Sequence, residues 1–305
     1  MGAEYLPIGC FGKLPFNPEH LQGQLFYPSS LAFRDWVREG RQEGVREGEV
    51  QGRVELRERF AYRFLFNLPR AAELVAGVIR PSADAKGRAF PFAVFIHLPR
   101  RFYGRNYSML PLGLSGAWDA LDDVWENVQS APTLSAFEEI LGSSLVPLPP
   151  GVGDIRGTYG SGMDQPIKKA CPDCLIEQFP SLVAEIRKST EEEGLVVELP
   201  VGAEAEHASF GSSFWMEYVN HFFTWRRYEP SLFLDDSPLE DYRRALLLFG
   251  RMSPYDYPLI MGSEGAVRTV WRPALPPTGG SDPHAGGHGE VVYSSLMSRR
   301  ALSGA

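Results

Sequence analysis

Cys171 and Cys174, in ACPDCL, have the two-residue spacing that can bind zinc or run thiol exchange. A structural zinc site needs four ligands, and no second pair of that spacing accompanies this one. A helix start at Pro172 and Asp173 between two incidental thiols is therefore the simpler reading. Gly12 and Lys13, in GCFGKLP, could begin a phosphate-cradling loop, but that loop continues from Lys to Ser or Thr and into a helix. Here Leu14 and Pro15 follow. We read structural glycines and a Lys13 whose ammonium is solvated. Ser82 and Asp84 invite a nucleophile reading, yet no G-x-S-x-G elbow surrounds Ser82, so turn stabilisation is expected. His97, in the apolar FAVFIHL, reads as a satisfied core histidine, and Cys10 as a buried small residue. His207, His221, His284 and His288 show no ligand spacing. The carboxylate pairs Asp122–Asp123 and Asp235–Asp236 fall beside expected helix ends, where capping of helix dipoles accounts for them. No catalytic residue, metal or cofactor is expected.

The elements that must position these residues follow from apolar patterning. Residues 62–68, 74–79 and 92–98 are apolar on both parities, or nearly so, and read as buried strands. Between the last two lie Pro81, Ser82, Asp84 and Gly87, the chemistry of a strand reversal. Residues 5–14 read as a strand with a bulge or a close backbone approach, stopped by Pro15. Ser29 or Ser30 can cap a helix through Phe33, Trp36 and Val37. Gly40, Gly44, Gly48 and Gly52 then recur every fourth residue among charges, so the segment is either a solvated, partly helical arm or a glycine face used by a partner or a neighbouring helix. Residues 115–128 place Trp118, Leu121, Val124, Trp125 and Val128 on one helical face, and Pro132 or Thr133 starts another helix. Further on, helices are expected at 173–186, 214–223 and 239–249, and strands at 195–201 and 231–234. Phe214, Trp215, Tyr218, Phe222, Phe223 and Trp225, followed by Arg226 and Arg227, form either core packing or an aromatic patch for a partner.

With 305 residues, 44% hydrophobic and 22% charged, the composition is that of a globular chain able to bury a sizeable core. The formal charge of −8 offers no bulk positive field for nucleic acid. No stretch approaches a membrane span or a secretory signal, so a cytoplasmic protein without membrane insertion is expected. Three cysteines, an odd number, agree with a reducing compartment. The pattern itself shows strand and hairpin runs before helices, and we expect an α+β fold, a mainly antiparallel central sheet with helices packed on its faces. Its parts are residues 1–144, a Pro/Gly-rich linker at 145–162, a second α/β region at 163–272 packing on the first, and a tail at 273–305. The tail is low in apolar residues and expected to be disordered, apart from a short apolar island at 291–297.

Ser82, Asp84, Gly87, Arg88, Phe90 and Pro91 together resemble the S-x-D-x-x-G-R-x-F-P motif of the TagF/ImpM family of type VI secretion accessory proteins. Phe11, Gly12, Lys13, Leu14 and Pro15 are similar to that family's G-K-L-P opening, Trp36 and Gly40 to its W-x-x-x-G helix, and Arg63, Phe64 and Leu65 to its R-F-L strand. The double-aromatic segment around Trp215 resembles a later family segment. One departure stands out: Phe16, Asn17, Pro18, Glu19 and His20 replace the family's S-R-G-D-F. The resemblance implies a longin-like or roadblock-like sandwich for the early region. It also implies a non-catalytic cytoplasmic regulator that restrains assembly of the secretion apparatus through its forkhead-associated scaffold protein. The quoted loop residues and Trp215 are then the candidates for partner contact. The rival readings are a hydrolase assembled from Asp84, Arg88 and a distant histidine, and a structural scaffold outside secretion.

Overall fold

Strands form here where apolar residues occupy both parities, because both faces of the sheet are covered. The computed structural model describes residues 5–50, 60–103, 106–148, 194–201, 205–222, 229–236, 243–260 and 270–271, with isolated positions between 181 and 186. The chain runs through β1 (Tyr5–Leu6), β2 (Ile8–Gly12) and β3 (Leu21–Gly23) into the long helix α1 (Pro28–Val50). β4 (Tyr62–Phe66), β5 (Glu73–Arg80) and β6 (Phe92–Pro99) follow, then α2 (Leu110–Gly113), α3 (Ser115–Gln129), α4 (Leu134–Ser143) and β7 (Val146–Pro147). Next come β8 (Leu195–Val201), α5 (Ala205–Phe222), β9 (Ser231–Asp235), β10 (Arg243–Phe249), α6 (Asp256–Ile260) and β11 (Val270–Trp271).

Nine strands make one sheet in the order β11-β8-β10-β9-β4-β5-β6-β2-β3. All pairings are antiparallel except β11 with β8. The α+β architecture read from the pattern is the one observed. β9 pairs with β4, so strands from beyond residue 163 extend the sheet built by the early region. Leu74, Ala76 and Val78 of β5 face one core with Trp118, Leu121 and Trp215, while Val75 and Ile79 face the other with Phe33, Trp36 and Tyr257. Helices thus lie on both faces.

Three expectations change. The helix expected at 239–249 is instead strand β10, with residues 237–242 outside the described set. Its RRALLLF run buries Ala245, Leu247 and Phe249 on one face and Leu246 and Leu248 on the other, and pairing on both sides overrides the helix preference of leucine. Neither serine caps α1: Ser29 Oγ donates to the buried Glu73 carboxylate at 2.8 Å, and Ser30 Oγ donates to Tyr27 O. His97 is buried but its Nε2 has no hydrogen-bond partner among the described residues.

The glycine repeat is partly explained. A Cβ at Gly40 would lie 2.2 Å from Tyr257 Cβ, and Trp36 Nε1 donates to Ser253 O at 2.7 Å. α1 therefore approaches α6 backbone to side chain, using its first glycine against a neighbouring helix. Gly52, Cys171, Cys174, Trp225, Arg226, Arg227, His284, His288 and all of 273–305 lie outside the described residues, as do ten of the fourteen residues 173–186. No helix among the described residues is long and apolar enough to cross a membrane.

Candidate functional site

The two motif loops meet. β2 ends at Gly12 with φ of +133°, where a Cβ would stand 2.1 Å from Pro91 O, so only glycine lets this strand end touch the β5–β6 hairpin. That approach delivers Lys13, whose Nζ donates to Asp84 Oδ2 at 2.9 Å. Lys13 and Asp84 are 8% and 3% exposed. The solvated ammonium expected for Lys13 is replaced by a buried ion pair. Neither sequence spacing nor local pattern announces it, because the partners lie 71 residues apart.

Asp84 is the hub. Its Oδ1 accepts from the backbone N–H groups of Lys86 and Arg88, both at 2.9 Å, and its Oδ2 also accepts from Arg88 Nε at 2.6 Å. Gly87, at φ +75°, closes the turn by donating its N–H to Asp84 O. Burial works to raise the Asp84 carboxyl, but the donors from Lys13, from the Arg88 and Lys86 backbone and from the Arg88 side chain outweigh it and hold it well below the usual carboxylate range. With four donors on two oxygens, Asp84 is placed to brace a loop rather than to take a proton.

The segment that departs from the family pattern closes the other side. Arg88 Nη2 donates to Pro18 O at 2.7 Å, and Ala85 N to Asn17 O at 3.3 Å. Both acceptors are backbone oxygens, so Asn17 and Pro18 serve without the polar side chains the resemblance leads one to expect. His20 lies edge-on to Phe90 at 4.5 Å, and the Arg41 guanidinium sits 5.8 Å above the same ring. Burial, then the charges of Lys13 and Arg88, push the His20 pKa down. Ser82 Oγ lies 3.1 Å from Gln129 Oε1, to which it donates, fixing the hairpin to α3.

The remaining candidates fall into the core. Phe11 is T-stacked on Phe33, and Leu14, Phe90 and Pro91 are buried; of the opening motif only Pro15 is exposed. Trp215 is 1% exposed and donates Nε1 to Pro200 O at 3.3 Å. It packs the sheet rather than presenting a surface.

A second cluster was not visible in the sequence. Arg63 Nη2 donates to Asp119 and Asp122, both at 2.8 Å, Arg80 Nη2 to Asp122 at 2.5 Å and Asp236 at 3.3 Å, and Arg243 pairs with Asp236. Asp122 and Asp236, read above as dipole caps, are therefore members of an ion network joining β4, β5, α3 and the ends of β9 and β10. The one signal available was an arginine inside the apolar run of β4.

Residues 9–142 match the family model described as the TagF N-terminal domain, Type VI secretion system-associated. This stretch is similar to the TagF N-terminal domain. The TagF match contains Lys13, Asp84, Arg88, Arg63 and Asp122, and ends before β7, so the strands β8 to β10 lie beyond it. A solved structure, described as the crystal structure of PA0076 from Pseudomonas aeruginosa PAO1, is similar at 23% identity and a TM-score of 0.39. The similarity covers 47% of this chain and 64% of that one, so this chain spans less than two thirds of that structure. No curated protein matches.

Proposed function

We propose that this type VI secretion-associated protein is a non-catalytic, cytoplasmic regulator that restrains assembly of the secretion apparatus by contact with its forkhead-associated scaffold protein. The observation that carries this reading is the TagF N-terminal match together with the joining of its two motif loops through Lys13 and Asp84. A hydrolase built on Asp84 and Arg88 is disfavoured, because the four donors around Asp84 depress its basicity and occupy the oxygens that would do the work. A net charge of −8 disfavours a nucleic-acid partner.

Deleting the gene in a cell that carries a type VI system should raise secretion, and pull-down from that cell should recover the scaffold. Unchanged secretion and no recovery would overturn the regulator. Turnover of an ester, phosphoester or peptide by purified protein, abolished by Asp84→Asn with the circular dichroism spectrum intact, would overturn the non-catalytic part.

A further inference from the structure

The sheet ends at β3, and among the described residues no strand pairs its outer side. Exposed edges are usually blunted by charge, by proline or by being short. Leu21, Gln22 and Gly23 carry neither charge nor proline, and the strand is three residues long. On its inner side β3 is held in register by β2, with Gly23, Gln22 and Leu21 opposite Cys10, Phe11 and Gly12.

The two ends of this edge differ in chemistry. His20 precedes it, packed on Phe90 beside the hairpin tip, where Lys86 and Arg88 are exposed. Asp84 already holds Lys13 and Arg88, and Glu19 stands nearby, so the exposed Lys86–Arg88 tip carries a small positive excess in a chain whose total is −8. At the other end Gln24, at φ +54°, turns the chain, and Phe26 and Tyr27 stand out at 74% and 48% exposure. Tyr27 packs on the His97 ring at 4.5 Å, so Phe26 is the freer of the two.

We propose that β3 is a docking edge for an extended segment of a partner protein, which adds to it as a further strand with carboxylates at the Lys86–Arg88 end and an apolar side chain against Phe26 and Tyr27. Main-chain hydrogen bonds to β3 supply attraction, and the charged end sets the direction of the added strand. The inference rests on the reading of this protein as one that acts by protein contact.

The probe is a labelled peptide with a run of glutamates at one end and alternating valine and threonine closed by phenylalanine at the other, followed by fluorescence anisotropy with the full chain. Binding should weaken as salt rises, fall roughly tenfold in Lys86→Glu or Phe26→Ser, and vanish when the alternating half is N-methylated. Absence of binding, equal binding of a lysine-ended peptide, or indifference to both substitutions would overturn the proposal. So would a concentration-dependent dimer in sedimentation velocity that Phe26→Ser dissolves, since a second copy would then cover the edge. Peptide failure with secretion control intact sinks the edge alone, whereas intact peptide binding with no effect of the protein on secretion sinks the regulator alone.

Discussion

The Asp84 hub and the Arg63 network both bury charge, but they are built in opposite ways. At the hub one carboxylate collects donors mostly from its own turn, Lys86 N and Arg88 N and Nε, with one long-range partner in Lys13. In the network three arginines on three strands share aspartates from a helix and a strand end, and Arg80 also lies 5.4 Å over the Trp125 ring. A locally made site tolerates losing one donor. A network assembled from distant segments leaves uncompensated charge when a central member goes.

Arg63→Ala should therefore show the largest effect. Arg63 has a side chain 10% exposed and sits between Asp119 and Asp122, and removing one partner of a buried pair costs about 3 to 5 kcal/mol. Urea denaturation reads the loss. Asp119, 67% exposed, makes the contrast within the network: Asp119→Ala should cost about 0 to 1 kcal/mol. Equal losses for the two would mean that the network has no buried centre.

Lys13→Met is the corresponding cut at the hub, keeping the aliphatic bulk under the loop while removing the ammonium. A hydrogen bond to a charged group contributes about 1.5 to 3 kcal/mol, and the three other donors to Asp84 remain, so the loss should fall below that of Arg63→Ala. A loss as large as that of Arg63→Ala would show that the long-range partner, not the turn, holds the hub.

These two sites also differ in what the sequence let one read. The strands at 62–66, 73–80 and 92–99 were legible because burial on both faces writes apolar residues on both parities, and the hairpin turn was legible from Pro81, Asp84 and Gly87. Asp84 and Arg88 bracing one turn is a four-residue relation. Lys13 with Asp84, and Arg80 with Asp236, are relations across 71 and 156 residues that depend on strand order, which no local pattern carries. Strand β10 was misread for a related reason. A Leu-rich run is helical by propensity, and only its neighbours β8 and β9 make it a strand.

Acid titration sharpens the comparison further. The folded carboxyl of Asp84 is depressed, so its stabilising effect is present above the unfolded value of about 3.9 and is lost as pH falls toward the lower folded value. His97 acts in an earlier window. Burial pushes its pKa down to about 4, so the unfolded chain takes up its proton first and stability declines from about pH 6.5 to about 4, with nothing further lost below. Unfolding midpoints across pH should show both steps, with Asp84→Asn flattening the lower and His97→Leu the upper. A single step unaffected by Asp84→Asn would contradict the hub.

The smallest effect at the hub is expected from Arg88→Ala, and it tests whether the hub is local in the sense argued. The Arg88 side chain is 54% exposed, and an exposed ion pair contributes about 0 to 1 kcal/mol. The substitution leaves the Arg88 and Lys86 backbone donors and the Lys13 ammonium on Asp84, so the midpoint should move little. What it removes is the bond to Pro18 O, the link that closes the 16–20 segment over the hairpin. Hydrogen exchange should therefore quicken at the Ala85 amide, which donates to Asn17 O, while the amides of Lys86 and Arg88 on Asp84 keep their protection. Lost protection at all three amides would mean that the guanidinium, and not the backbone of the turn, organises Asp84.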